Sequence, residues 1–245
     1  GFVSRGLGDV YKRQIQMVSA SIKSSEIRFG ECNKKLLEEV IFYGISLGAD
    51  FVELFIENSD NSSVLAEEDF ITSVSPSFSK GAGIRIFKDK RDGFVSTNDL
   101  SRHGLMRSIS QAIEMLDISK KTNKLIFNGL EKLKDYSKSK INWLNEVPTI
   151  NEVSEKLLLS TKSLKKDKKV VVRKGSYARN WQEVIIASSD GTYATDIRLH
   201  QTVGLNIIAN DAQYRSNGSR RFGSHGIPNE FRLWDHEKAS NEVYE

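Results

Sequence analysis

His236-Glu237 is the pair whose residue types invite a metal-bound water. In a helical HExxH arrangement the second His lies one turn on and shares a face with the first, while the Glu polarises the water that the metal holds. Here the fourth residue after His236 is Ser240, so the pair lacks its second ligand. The histidines, His103, His200, His225 and His236, are widely separated in the chain, and no pair has ligand spacing. Asp235 and Glu237 are the acidic neighbours of that set. No G-x-S-x-G text marks a nucleophile elbow. Cys32 is the sole cysteine, so no internal disulfide forms; nothing pairs with it as a base, and it reads as an inert thiol.

A second candidate is Ser216 to Gly226, SNGSRRFGSHG. Its three glycines permit close backbone approach, and Arg220 and Arg221 could grip a carboxylate or phosphate. The composition predicts a surface loop, with Arg220 and Arg221 as candidate residues of a peptide cleft. It is not a P-loop, because no G-K-[ST] follows.

The elements that would position these groups are readable in part. Asn33 predicts the N-cap of a helix whose apolar face is Leu37, Val40, Ile41 and Ile45, with Gly48 as its C-terminal stop. Val52, Leu54 and Ile56 alternate with Glu53 and Glu57 in a strand over Phe51 to Glu57. Ser62 to Ala66 and Phe70 to Val74 predict a hairpin that Pro76 ends, although Phe70 is an unexpected residue for the Glu67 to Phe70 turn. In GAGIRIFKDKRDGFVSTNDL, a strand around Ile84 and Phe87 is followed by a polar turn closed by Gly93 and a return strand over Phe94 to Ser96. Asn98 or Asp99 would then cap a helix with Leu105, Met106, Ile109, Ile113 and Leu116 at helical spacing. Val153, Leu157, Thr161 and Leu164 predict a further helix. Val170 to Val172, Val184 to Ala187, Tyr193 to Leu199 and Val203 to Ala209 follow as strands, with Asp190-Gly191 as a hairpin signal.

Composition bounds the function classes. The chain has 245 residues and 38% hydrophobic content, enough for one or two ordinary domains. No apolar run approaches the ~20 residues of a membrane span, and no signal peptide is evident, so a cytoplasmic protein with no membrane partner is expected. The net charge is +4, and outside the first 14 residues the basic charge is concentrated in two runs, Lys120 to Lys140 and Lys162 to Lys174. Such runs attract phosphate backbones only where a surface presents them together with stacking rings, and Tyr136 and Trp143 are the nearby candidates. A solvated linker and helix end is the expected reading, so nucleic acid is not an expected partner. Ser4 to Gln14, SRGLGDVYKRQ, resembles a translated sequencing-library adapter, which makes Met17 the expected natural start. Without Arg5, Lys12, Arg13 and Asp9, the 36 basic and 32 acidic residues become 33 and 31, a net charge of +2.

The ordered text GAGIRIFKDKRDGFVSTNDL resembles the first domain of the TldD/PmbA family of metallopeptidase-related proteins, also called modulators of DNA gyrase. GADFVELFIENSDNSSVLAEEDFITSVS upstream and EVIIASSDGTYATDIRLHQTVGLNIIANDAQYRSNGSRRFG downstream resemble further parts of the family's first and second domains. GFVSTNDLS and TDIR resemble the TldD type more than its PmbA (TldE) partner.

The resemblance implies an α+β chain of two domains, each a mostly antiparallel sheet with helices, and a missing C-terminal catalytic domain. The expected divisions are an adapter-like segment at 1–14, a tail at 15–32, a first domain at 33–118, a Lys-rich connection at 119–149, a central domain at 150–235 and a truncated lead-in at 236–245. It also implies a metal held by HExxxH, zinc in the full-length protein, but that spacing places Asn241 opposite His236. The motif is therefore expected past Glu245, with no catalytic residue, metal ligand or cofactor-binding residue in this chain. The implied activity is hydrolysis of small or unfolded polypeptides alongside a TldE/PmbA-like subunit, with this chain inactive alone and serving substrate-channel and subunit-contact roles. The alternative is a PmbA-like non-catalytic partner or a nucleic-acid-interacting module.

Overall fold

Val52, Leu54 and Ile56 are wholly buried while Phe55 between them is exposed, so period-two alternation does fix one covered and one open face. The computed structural model describes residues 29, 32–116, 127–132, 147–164, 167–211, 213–226, 231 and 234–244. The adapter-like start, Met17 and most of the Lys-rich connection lie outside the described residues.

Helix α1 (Lys34–Ser46) leads into strands β1 (Phe51–Glu67), β2 (Phe70–Lys88) and β3 (Arg91–Thr97), then helix α2 (Arg102–Met115). The short β4 (Glu131–Lys132) and helix α3 (Ile150–Ser163) precede β5 (Val170–Ser188), β6 (Thr192–Asp211), β7 (Tyr214–His225) and helix α4 (His236–Glu242). The α+β class is the observed one, with antiparallel pairing throughout except for β4 on β6.

The two sequence segments do not form separate sheets. β1 pairs β5 from Glu53 opposite Ser188 to Glu67 opposite Lys174, which joins both halves into one sheet of order β3-β2-β1-β5-β6, with β4 and β7 both on β6. The reason lies in the polar middle of β1, Asn58 to Asn61, where the sequence pattern predicted a break between two strands. Its backbone is paired on both sides, and its side chains find cross-strand partners: Arg179 Nη2 donates to Asp60 at 3.1 Å, and Asn180 donates to Asn61.

Directly paired residues point to one face, so the register places Leu54, Ile56, Val64, Ile84, Tyr177, Ile185 and Val203 together on the helix-covered side. α1 and α2 cover one end with Leu37, Ile41, Leu105 and Ile109. α3 covers the other with Ile150, Val153 and Leu157, while Ala239 of α4 packs with Leu164, Leu205 and Ile207. Asn33 caps α1 and Gly48 stops it at φ 103°, as expected. α3 opens with a full capping box between Thr149 and Glu152.

Several local expectations are corrected. Pro76 does not end a strand but lies inside β2 opposite Ser62; β3 reaches only Ala82 to Lys88 of β2, so the missing N–H breaks no pairing with it. The β2–β3 turn is Asp89-Lys90, at φ 47° and 67°, and not a turn closed by Gly93. Asp50 holds it, accepting from the Asp89 N–H at 3.0 Å and from Lys88 Nζ at 2.8 Å. Gly93 lies within β3, where the Ala112 carbonyl and Leu116 leave little room for a Cβ. Ser101, not Asn98 or Asp99, caps α2, while the Asp99 carboxylate accepts from the Ser101 N–H at 3.1 Å. The Glu68-Asp69 turn, with Glu68 at φ 55°, leaves Phe70 as the exposed first residue of β2.

Gly44 tests how tightly α1 lies on the sheet. A Cβ there would sit 2.8 Å from Val52 Cγ2 and 3.4 Å from two Ile109 carbons, all from wholly buried side chains. Alanine gains about 1 kcal/mol of helix propensity, but overpacking costs about 1–3 kcal/mol. Gly44→Ala is therefore expected to lower the midpoint of thermal unfolding followed by circular dichroism. A raised midpoint would show that α1 can move away from β1.

Candidate functional site

The helix carrying His236 is built for packing. Asp235 caps α4, accepting from the Glu237 and Lys238 N–H groups at 3.0 Å each, and the hydrogen bond from Lys238 leads in holding its carboxyl below the usual range. Ser240, where HExxH would place its second His, is wholly buried. Its hydroxyl donates to the His236 carbonyl at 2.6 Å and lies 3.3 Å from the Ser160 carbonyl of α3. Asn241, the HExxxH position, is exposed. These residues do not fit a hydrolytic metal. Among the described residues, no group of three or more His, Cys, Asp or Glu side chains could hold one.

Ser216 to Gly226 is corrected from loop to strand, since Ser216 to His225 belong to β7 and Ala209 to His200 of β6 lie opposite. Strand alternation then separates the two arginines. Arg220 is opposite Leu205 on the helix-covered face and its Nε donates to Glu242 of α4 at 3.3 Å. Arg221 is opposite Gly204 on the open face. The glycines serve contact and not looseness: a Cβ at Gly218 would lie 2.4 Å from the Val243 carbonyl, so glycine lets the end of α4 reach the strand.

Arg221 borders a groove of about 660 Å³ on that open face, which Arg220 also lines, together with Leu65, Thr72, Lys174, Ser176 and Asn206. Gly204 keeps its floor low, because a Cβ there would stand 2.7 Å from Ser176 Oγ. Lys174 is paired with Glu67 at 3.3 Å, which leaves the groove with mixed polarity suited to an extended polar chain.

The same register brings together two histidines that sequence spacing kept apart. His200 and His225 are directly opposite on β6 and β7, with Nδ1 atoms 3.3 Å apart and rings tilted by 40°. The available signal was the hairpin itself, because the Asp211–Tyr214 pairing sets His225 opposite His200 once the segment is read as strand. His103 lies in α2 and His236 in α4, so the structure assembles two of the four.

Cys32 belongs to the core beneath α1, and burial pushes its thiol up to about 11, against a smaller opposing effect of the Lys80 charge. The thiol stays protonated at neutral pH. Because the folded value lies above that of an unfolded chain, this group's contribution to stability is present below the unfolded pKa and is lost as pH rises through about 11. Cys32 is expected to resist a disulfide-exchange reagent at pH 8 and to react fully once denatured. Fast labelling of the native chain would show an accessible thiolate.

Comparison with known proteins identifies the class of chain that this architecture defines. The profile for domain 1 of the PmbA/TldA metallopeptidases matches residues 52–116, and that for their central domain matches residues 143–245. The chain belongs to the TldD/PmbA family. A metalloprotease TldD homolog of Haemophilus influenzae is 23% identical over 198 residues, covering 79% of this chain and 39% of that protein. In structure the chain is similar to TldE from Thermococcus kodakarensis, with TM-score 0.66 and 20% identity over 85% of this chain and 47% of the other. A candidate modulator of DNA gyrase from Thermotoga maritima has the same fold, with TM-score 0.66 and 15% identity over 85% of this chain and 46% of the other. The chain thus spans less than half the length of each.

Proposed function

We propose that this chain is the substrate-side part of a TldD-type metallopeptidase subunit that hydrolyses small or unfolded polypeptides in the cytoplasm with a TldE/PmbA-like partner. The observation that carries this reading is order: two consecutive domains of the family follow one another along the chain, and a TldD homolog aligns across both. In this reading the hydrolytic metal, zinc, is held by residues outside this chain, since α4 does not fit it. The chain contributes the open-face groove, where Arg221 offers a cationic donor to carbonyl and carboxylate oxygens of an extended peptide.

A TldE-like, non-catalytic role is the second reading, supported by the structural similarity to TldE from Thermococcus kodakarensis. A nucleic-acid role has less support. Lys169 is paired with Asp211 and Lys174 with Glu67, while Lys165 and Lys166, like Tyr136 and Trp143, lie outside the described residues.

The test is binding of a fluorescein-labelled unfolded peptide, read as anisotropy, together with hydrolysis of that peptide in the presence of zinc. The chain is expected to bind without cleaving. Arg221→Ala should weaken binding about tenfold, the worth of a charge-assisted hydrogen bond of ~1.5 kcal/mol. Arg102→Ala, on α2 and away from the groove, should leave binding unchanged. Cleavage by this chain alone, or equal losses from the two variants, would overturn the assignment.

A further inference from the structure

The hairpin of β6 and β7 holds its two imidazoles at a separation that is itself informative. A zinc–imidazole bond is ~2.0–2.1 Å, so two nitrogens at tetrahedral positions on one ion lie roughly 3.3–3.4 Å apart. His200 Nδ1 and His225 Nδ1 are 3.3 Å apart. We propose that His200 and His225 form a two-imidazole site for a late first-row divalent ion, zinc, nickel or copper, on the open face of the sheet.

The strand pairing carries the geometry. The two residues are directly opposite in a register that continues from Asp211–Tyr214, so their Cα atoms are fixed by the hairpin and only the rings need adjust. The rings are tilted at a centroid distance of 4.4 Å, and both residues are exposed, which leaves room for an ion and its waters. Without an ion, the close Nδ1 contact is a hydrogen bond in which one Nδ1 carries the proton. Binding needs both Nδ1 lone pairs, so that proton moves through water to Nε2 of the same ring, and each ring then presents Nε2–H to solvent.

Among the described residues the donor set is limited to two. Asn180 is opposite His200 on β5, but its amide donates to Asn61. Arg198, two residues before His200 on the same face, is paired with Asp196 at 2.7 Å and adds a positive charge near the site. Water must complete the coordination, so the affinity is below that of three- and four-ligand sites, with copper binding more tightly than nickel or zinc. The hard ions magnesium and calcium prefer oxygen donors and are not held. This site is independent of the peptidase reading, because it uses neither α4 nor the groove residues.

The experiment is calorimetric titration of the tag-free chain with zinc, nickel and copper salts, and with magnesium chloride as control. One ion per chain is expected for each transition metal and none for magnesium. His200→Ala and His225→Ala should each reduce affinity more than tenfold with unchanged circular dichroism, whereas His103→Ala and His236→Ala should not alter it. Nickel-dependent broadening of two imidazole Cε1–H resonances, absent from either strand variant, provides a readout that folding alone would not move. No transition-metal binding, binding that survives loss of both strand histidines, or binding lost with His236 would overturn the assignment.

Discussion

Pairing of β1 with β5 is the interaction on which the remaining structure depends. It joins residues more than a hundred positions apart, and every other element takes its place from it: β2 and β3 extend one side, β6 and β7 the other. One sheet then presents one covered face, so α1 and α2 at one end and α3 at the other bury residues of matching parity along the same strands. A single-residue slip along β1 would carry Leu54, Ile56, Val64 and Ala66 to the open face together.

Polar contacts, as well as apolar ones, specify that register. Arg173, almost wholly buried, donates through Nη2 and Nε to Glu68 and through Nη1 to the Thr161 carbonyl, so one guanidinium ties the β1–β2 turn, β5 and α3. Tyr177 donates to Gln201 at 2.9 Å across β5 and β6, and burial pushes its hydroxyl pKa up. Each group needs its particular partner, because a buried donor or charge left alone costs more than the made bond contributes. Apolar residues of β1 could tolerate an alternative pairing of similar burial; Arg173 and Arg179 could not. The polar stretch that looks like a break in β1 is therefore part of what aligns β1 with β5.

Local signals were legible where one residue decides the outcome. Asn33 at the start of α1, Gly48 after its end and Asp190-Gly191 between β5 and β6 act through neighbouring backbone, and each has its expected role. Expectations failed where a distant element overrides the local preference. Pro76 stays in a strand because its free side lies beyond the reach of β3, and Gly93 accommodates α2 instead of making a turn. Ser216 to Gly226 is rich in glycine, serine and arginine, which favours a loop until α4 requires the close approach at Gly218. The candidate site followed the same pattern: Arg220 and Arg221 were visible as residues, but their separation onto opposite faces was not, since it depends on the segment being a strand.

That separation explains why the chemistry of this chain divides by face. α4 occupies the covered face, and its polar residues are engaged in holding it there: Asp235 at its N-terminus, Ser240 against α3 and Glu242 with Arg220. Moving Ser240 outward to make room for a ligand would uncover Ala239 and Val243 from Leu205 and Ile207, a loss of apolar burial at about 25 cal/mol per Å² with no compensating contact. The open face has no such commitment. Arg221, Ser176, His200 and His225 project from strands whose backbones are fixed by pairing, so their side chains can meet a ligand without disturbing the core. A rigid sheet with helices on one side thus separates stability from recognition, and the histidine beside a glutamate that first suggests chemistry belongs to the side that provides stability.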